Sequence, residues 1–364
     1  MEQSKRVIAL DAFRGFTIAL MILVNTPGSW SYVYPPFRHA EWHGCTPTDL
    51  VFPFFLFIVG VAMWFSFKAF DHQLNKKVVL KIIKRTLIIF AIGVGLKLYS
   101  MLLRENSSFR LMGVLQRIAL AYGFAAILAL SLKQRSLIAI SAFLLLGYWF
   151  LLWFFGGDAP YALETNLART IDLKVIGTKF LYKGEGIPFD PEGLLATIPS
   201  IVTVILGYFT GQMVEQTTDR KKLVLKLALW GVLAIFIGLI WDMAFPINKK
   251  IWTSSYVIYA AGYALVILSL FVWLIDVKHY KKWAQPFIVY GMNPLFIYVL
   301  SGVWIISYFA VAIGDSNMYS WLYKSVFVPI AGNMNGSLLF GLFHIALYWL
   351  IGLFLYRKKI FIKI

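Results

Sequence analysis

Hydrophobic residues fall along this chain in long unbroken runs. Stretches of 18 or more apolar residues recur from one end to the other, divided by short polar segments. Each run is long enough to cross about 30 Å of hydrocarbon as a helix. The ten-residue alternation that marks barrel strands is absent. The pattern predicts ten spans: Ile8–Val24, Leu50–Phe67, Val78–Leu98, Leu111–Leu132, Leu137–Phe155, Leu194–Val214, Leu223–Phe245, Ile251–Ile275, Pro286–Ile313 and Leu338–Tyr356. The ninth covers 28 residues, which predicts a tilted, broken or doubled segment.

Composition sharpens that picture. The chain is 60% hydrophobic and 14% charged, with mean hydropathy +0.74, whereas a soluble domain is about 25% charged. The expected fold class is an all-α membrane protein of about ten transmembrane helices. No linker, low-complexity tract or repeat divides it, so residues 1–364 read as a single polytopic domain with outer loops at 25–49, 156–193 and 314–337. Lys5 and Arg6 precede the first run as in a signal peptide. That run holds Asp11 and Arg14 and lacks a small-residue cleavage site, so it reads as the first span. The one cysteine, Cys45, excludes an intramolecular disulfide.

The basic residues orient these spans. Of 34 Lys and Arg, 21 fall in the loop set containing both chain ends or in the span ends adjoining it, 11 in or beside the opposite set, and Arg14 and Arg117 are counted apart as charges inside spans. Positive loops stay on the cytoplasmic side, so both termini are expected there. Much of the net charge of +17 is then topological and gives no reason to invoke nucleic acid.

Candidate chemistry concentrates at 38–57, "RHAEWHGCTPTDLVFPFFLF", where two histidines, a glutamate, Cys45 and Asp49 precede an apolar run on the outer side. His39 and His43 are four apart and could share a helix face to bind a metal, but Gly44 and Pro47 break helical register nearby. Trp42 could equally anchor a structural cluster at the lipid interface. The third reading is acid–base chemistry by one histidine, oriented by a carboxylate. Asn25 ends the first span and suits either an oxyanion contact or a helix cap. Asp11 and Arg14, i and i+3, suit an ion pair. Arg117, after Gln116, sits about one and a half turns into its span, where an unpaired charge is costly and points to a cavity.

Six blocks in order, "LDAFRGFTIALMILVN", "HAEWHGCTPTDLVFPFFLFIVG", "GVLQRIALAY", "FDPEGLLATIPSIVTVILG", "PINKKIWTSSYVIY" and "YGMNPLFIYVL", resemble the heparan-α-glucosaminide N-acetyltransferase family and its bacterial relatives, in the transmembrane acyltransferase superfamily. The resemblance runs from residue 6 to about 300. The human member carries an additional luminal portion and first span, so the resemblance implies the ten-helix core here. It also implies transfer of acetyl from cytosolic acetyl-CoA to a glucosamine amine across the membrane, with no metal. By the matched blocks His39, and not His43, corresponds to the catalytic histidine, with Asp49 and Asn25 as its block's aspartate and the preceding asparagine. The family places its site toward the lumen, which is where the charge count puts His39.

On that basis Arg14, Lys84 and Arg85 are expected to hold the anionic nucleotide of acetyl-CoA near the inner face. Gln116 and Arg117 are expected along its arm. Trp42 is expected to stack on the sugar. Asp190 and Glu192 are expected either to bind its ammonium and hydroxyls or to cap the sixth helix. Lys249, with Lys250, is expected to meet an anionic group. The expected setting is a bacterial inner membrane with the site facing the periplasm; a homodimer is compatible with the family. The competing class is a secondary transporter of a sugar or acyl compound, which intramembrane charges and Gly/Pro-broken helices also suit.

Overall fold

The computed structural model describes residues 7–104 and 108–362. Lys5, Arg6 and Lys363, which entered the charge count, lie outside the described residues. The chain forms α1 (Ile8–Asn25), α2 (Val51–Phe67), α3 (Lys76–Leu103), α4 (Val114–Ser131), α5 (Gln134–Phe155), a short α6 (Leu167–Val175), α7 (Thr197–Gln216), α8 (Arg220–Asp242), α9 (Ser254–Val272), α10 (Gln285–Met292), α11 (Pro294–Ala310), a small hairpin of β1 (Ala312–Ile313) and β2 (Ser316–Asn317), α12 (Met318–Leu322) and α13 (Val328–Arg357). Among the described residues, nine helical segments are long and apolar enough to cross a membrane, and α10 with α11 makes a broken tenth.

That tenth span is the predicted ninth. It bends by 75° at Asn293, where Pro294 follows and removes a backbone donor. The chain end repairs the gap: Asn293 Nδ2 donates to the Ile360 carbonyl (3.0 Å) and its Oδ1 accepts from Ile362 N (2.8 Å). Much of the outer loop expected at 314–337 is helical instead. The helical segment begins at Met318 and runs to Arg357. Its Lys324, Pro329, Gly332 and two asparagines read as loop in the sequence, and a π-turn at Tyr323–Phe327 and Gly332 at φ 74° absorb the misfit.

The helices sort into an inner and an outer group. α1, α4 and α7 bury 61%, 67% and 72% of their apolar windows, whereas α3 and α8 bury 11% and 22% and present Leu, Ile and Phe outward. In lipid, apolar outer faces carry no penalty, so close packing decides the interior. A Cβ on Gly60 of α2 would lie 1.9 Å from the Val204 carbonyl oxygen, and one on Gly207 of α7 would lie 1.9 Å from that of Phe57. Gly15 and Gly291 bring α1 against α10 in the same way. The inner helices α1, α2 and α4 are the ones that carry the cavities described next.

Candidate functional site

Two loops meet above α1, α2 and α4. The first, between α1 and α2, makes 3₁₀ turns at Pro35–Phe37 and Pro47–Leu50. Thr46 caps the second turn in a reciprocal box with Asp49: Thr46 N donates to Asp49 Oδ2 at 3.0 Å, and the Thr46 side chain accepts from the Asp49 backbone. Thr46 Oγ1 also lies 2.7 Å from the Arg38 carbonyl oxygen, and Thr48 Oγ1 donates to that of Pro36, folding the loop back on itself. The second loop, between α8 and α9, is stitched to the first where Gly44, at φ 98°, donates its N–H to Ile247 O at 2.7 Å. Asp242, the last residue of α8, accepts from Ile247 N and ties this loop to that helix.

This scaffold fixes an imidazole–carboxylate pair. His39 Nδ1 lies 2.7 Å from Asp49 Oδ1. Asp49 is 1% exposed; Ala40 N also donates to its Oδ2 (3.0 Å), and Tyr256 OH donates to its backbone carbonyl (2.6 Å). Lys249 Nζ approaches from the second loop, 3.1 Å from His39 Nδ1 and 3.5 Å from Asp49 Oδ1. A carboxylate cannot donate, so the Nδ1–H of His39 points at Asp49, and the ammonium of Lys249 then reinforces the same carboxylate. With Nδ1 engaged, Nε2 is the ring atom free to take a proton. Burial lowers the Lys249 pKa, while Asp49 and Glu192 pull it back up.

The pair opens into a cavity of about 320 Å³ lined also by Asn25, Glu192, Arg110 and Tyr298. Asn25 is the last helical residue of α1, and the cap position itself belongs to Thr26. Asp190 and Glu192 cap no helix: α7 begins at Thr197 with Ala196 at its cap. Both carboxylates face Arg110 instead. Asp190 takes Arg110 Nε and Nη2 at 2.9 and 2.6 Å, and Glu192 shares Nη2. Burial would raise the Glu192 carboxyl, but Arg110, Arg117 and Lys249 outweigh it and hold it below its ordinary value. Asp190 is thus committed to Arg110, while Glu192 borders the cavity.

A second cavity of about 710 Å³ is lined by Arg14, Lys81, Arg85, Tyr122 and Ser66. Phe55 and Ile118 line both cavities. Three helices run along the pair. α2 gives Phe52 and Phe55 to one and Phe55, Val59, Ala62 and Ser66 to the other, a stripe at helical spacing. α4 gives Val114 and Ile118, then Ile118 and Tyr122. α1 places Asn25 at one cavity and Arg14 at the other, about 16 Å apart along its axis at 1.5 Å per residue. Arg14 makes the expected ion pair with Asp11 (3.0 Å) and also donates to the Gly291 carbonyl (3.2 Å).

The remaining candidates lie elsewhere. Lys84 is exposed on α3 and does not line the second cavity; Lys81, one turn earlier, does. Gln116 and Arg117 are buried and line neither cavity. Arg117 sits behind the wall, its Nη2 donating to Gly193 O (3.0 Å) and its guanidinium 5.2 Å from the Trp252 ring. Trp42 donates to Tyr161 O (2.8 Å) and lines a separate cleft with Glu41, His43 and Glu164. His43 pairs with Asn248, so the two histidines serve different partners. Arg110 and Lys81 escaped the sequence reading. The carboxylates of Arg110 lie 80 and 82 residues away, beyond any local pattern, but Lys81 could have been found by helical phase from Arg85.

Residues 6–241 match the family described as "Heparan-alpha-glucosaminide N-acetyltransferase, catalytic". Two curated relatives, the Heparan-alpha-glucosaminide N-acetyltransferases of Homo sapiens and Mus musculus, are each 29% identical over alignments that take in 99% of this chain. The chain spans 60% and 61% of the length of those relatives.

Proposed function

The chain belongs to the heparan-alpha-glucosaminide N-acetyltransferase catalytic family, and from that premise we propose that it transfers acetyl from acetyl-CoA to the amine of glucosamine or a terminal glucosamine residue across a bacterial inner membrane. The observation that supports it most is the shared wall: a cavity holding an oriented histidine and a cavity ringed by cations meet at Phe55 and Ile118.

In this reading the cationic cavity faces the cytoplasm, as the bias of basic residues suggests. Arg14, Lys81 and Arg85 meet the anionic nucleotide, whose phosphates cannot sit unpaired in hydrocarbon. The arm of the donor passes Phe55 and Ile118 and leaves its thioester beside Asn25 and His39. On the periplasmic side the sugar enters as an ammonium, which has no lone pair for attack. Nε2 of His39 removes its proton, with Asp49 stabilising the imidazolium that forms. The freed amine attacks the thioester carbonyl, Asn25 donates to the oxyanion, and the carbon–sulfur bond breaks as CoA leaves, its thiolate taking the second proton that the nitrogen loses. Glu192 supplies the negative edge that attracts the ammonium.

The protein in detergent, given acetyl-CoA and glucosamine, is expected to release free CoA and form N-acetylglucosamine. A secondary transporter changes no bonds, so unaltered acetyl-CoA and sugar after incubation would overturn the proposal. Chemical trapping separates direct transfer from a route through acetyl-imidazole, in which His39 accepts the group first.

A further inference from the structure

Lys249 is an amine held inside the cavity proposed for acylating an amine. Its backbone has little freedom. Asn248, fully buried, accepts from Lys250 N (2.7 Å) and Ile251 N (3.1 Å) through Oδ1, and exchanges two 3.0 Å bonds with Thr253. The next residue, Lys250, turns away to Glu185 (2.5 Å) and the Glu41 carbonyl (2.6 Å). Lys249 alone reaches the catalytic pair, its side chain 18% exposed. The groups facing it from the two loops and the segment before α7 are His39, Asp49, Cys45 and Glu192.

An amine within hydrogen-bond reach of a base, the base being held by a third group, is the arrangement of an activated nucleophile. Here one atom, His39 Nδ1, serves both contacts, which makes them exclusive. While Nδ1–H donates to Asp49, Lys249 stays an ammonium. In the minor tautomer with the hydrogen on Nε2, which Asp49 opposes because bare Nδ1 then faces its oxygen at 2.7 Å, Nδ1 can take a proton from Lys249 across 3.1 Å and so regain its bond to Asp49. We propose that Lys249 is a self-acetylation site: with the acetyl donor bound and no amino sugar present, its ε-amine takes the acetyl group and the enzyme shuts down.

The inference rests on the acetyl-transfer reading above. The ammonium gives one proton to His39; the neutral nitrogen attacks the thioester carbonyl; the N–C bond forms and the C–S bond breaks. The thiolate takes the second proton lost by the nitrogen, and the first passes from His39 to water. Acetyl-CoA and the ammonium become the acetamide, CoA and one hydron, with no oxidant or reductant. The four-carbon stem of lysine supplies the reach. The product is an amide, stable where an acetyl-imidazole is not, so it is a dead end and not an intermediate. It removes the cation 3.5 Å from Asp49 and puts an acyl group in the cavity. A bound sugar ammonium, giving its proton to Nε2, keeps Nδ1–H on Asp49 and thereby protects Lys249.

The test uses the purified full chain with radiolabelled acetyl-CoA alone, followed by peptide mapping and by assay of residual transfer to glucosamine. Expected is label at Lys249 that survives hydroxylamine, accumulates faster than at exposed Lys77 or Lys222, rises with pH and parallels loss of activity. Glucosamine suppresses it, and His39→Ala abolishes it. Lys249→Arg keeps the charge without an acylable amine, so stable label and progressive inactivation both disappear. If the enzyme acetylates glucosamine while Lys249 gains label no faster than surface lysines, or gains none, the inference is wrong and the transfer reading stands. If no glucosamine is acetylated at all, the transfer reading falls and takes the inference with it.

Discussion

The two cavities that meet at Phe55 and Ile118 are built on opposite principles. At the one holding His39, charges are locked to partners: His39 and Lys249 on Asp49, Lys250 on Glu185, Arg110 on Asp190 and Glu192. At the other, Arg85 lies 4.6 Å from the Tyr122 ring, its buried Nε without a partner among the described residues; Lys81 lies over Phe70; only Arg14 is ion-paired, to Asp11; and no carboxylate is among the described lining residues. Fixed dipoles and charges lower a barrier because they need no reorganisation as the reaction proceeds. Cations held mainly against aromatic rings keep charge to offer a large polyanion. In the proposed reading the difference separates a place for chemistry from a place for binding, and substitutions on either side should report it differently.

The largest effect is expected where the charges are locked. His39→Ala should lower kcat by about 10²–10⁴-fold, the usual worth of a general base. Asp49→Asn should cost somewhat less, by freeing the wrong tautomer, with both proteins folded by size-exclusion profile. Ordinary turnover in either variant would remove the distinction between the cavities. Arg110→Ala comes next, and its effect is on the fold. It leaves Asp190, 2% exposed, without its ion-pair partner and removes one of the three cations that hold Glu192, and stranding a buried charge costs about 3–5 kcal/mol. A thermal midpoint in detergent equal to that of the parent would show that the lock is dispensable.

How much of this was legible beforehand follows from the same contrast. The spans were readable because hydrocarbon demands long apolar runs, and His39 with Asp49 stood out as ionisable groups at a lipid border. The broken helix at Asn293 announced itself by excess length. Helix at 318–337 did not, because Pro329 and Gly332 are loop signals that a π-turn and one positive φ can accommodate. Arg110 looked like one more basic loop residue, since its acidic partners are distant in sequence. Lys84 and Lys81 differ only in helical phase, which a span drawn as a cylinder does not resolve. Asp190 looked like a sugar ligand because a carboxylate already taken by a guanidinium looks no different in a sequence.

On the cationic side the expected change is in affinity. Arg85→Ala should raise KM for acetyl-CoA by about 10-fold, as loss of one charge-assisted contact implies, while kcat stays close to the parent value. Steady-state kinetics with glucosamine saturating would show it. A fall in kcat with KM unchanged would place Arg85 in the chemistry and blur the two cavities into one.

The smallest effect probes the layer behind the wall. Asp172 is fully buried, accepts from Leu194 N at 2.9 Å through Oδ1, and has no partner at Oδ2 among the described residues. Burial pushes its carboxyl up to about 7 from 3.8. The folded chain therefore holds a proton that the unfolded chain has lost between those values, so stability falls as pH rises from about 4 to about 7 and levels off above. Glu192 runs the other way, since its carboxyl is held low: its contribution is complete above its ordinary value of 4.5 and is lost in acid. The window between 4.5 and 7 thus belongs to Asp172 between these two groups, and Asp172→Asn should flatten the thermal midpoint across it relative to the parent. Because Asp172 lines neither cavity, transfer to glucosamine should change little. A midpoint curve of identical slope in parent and variant would mean that Asp172 is ionised when folded, and that the layer behind the His39 cavity is polar enough to solvate a charge.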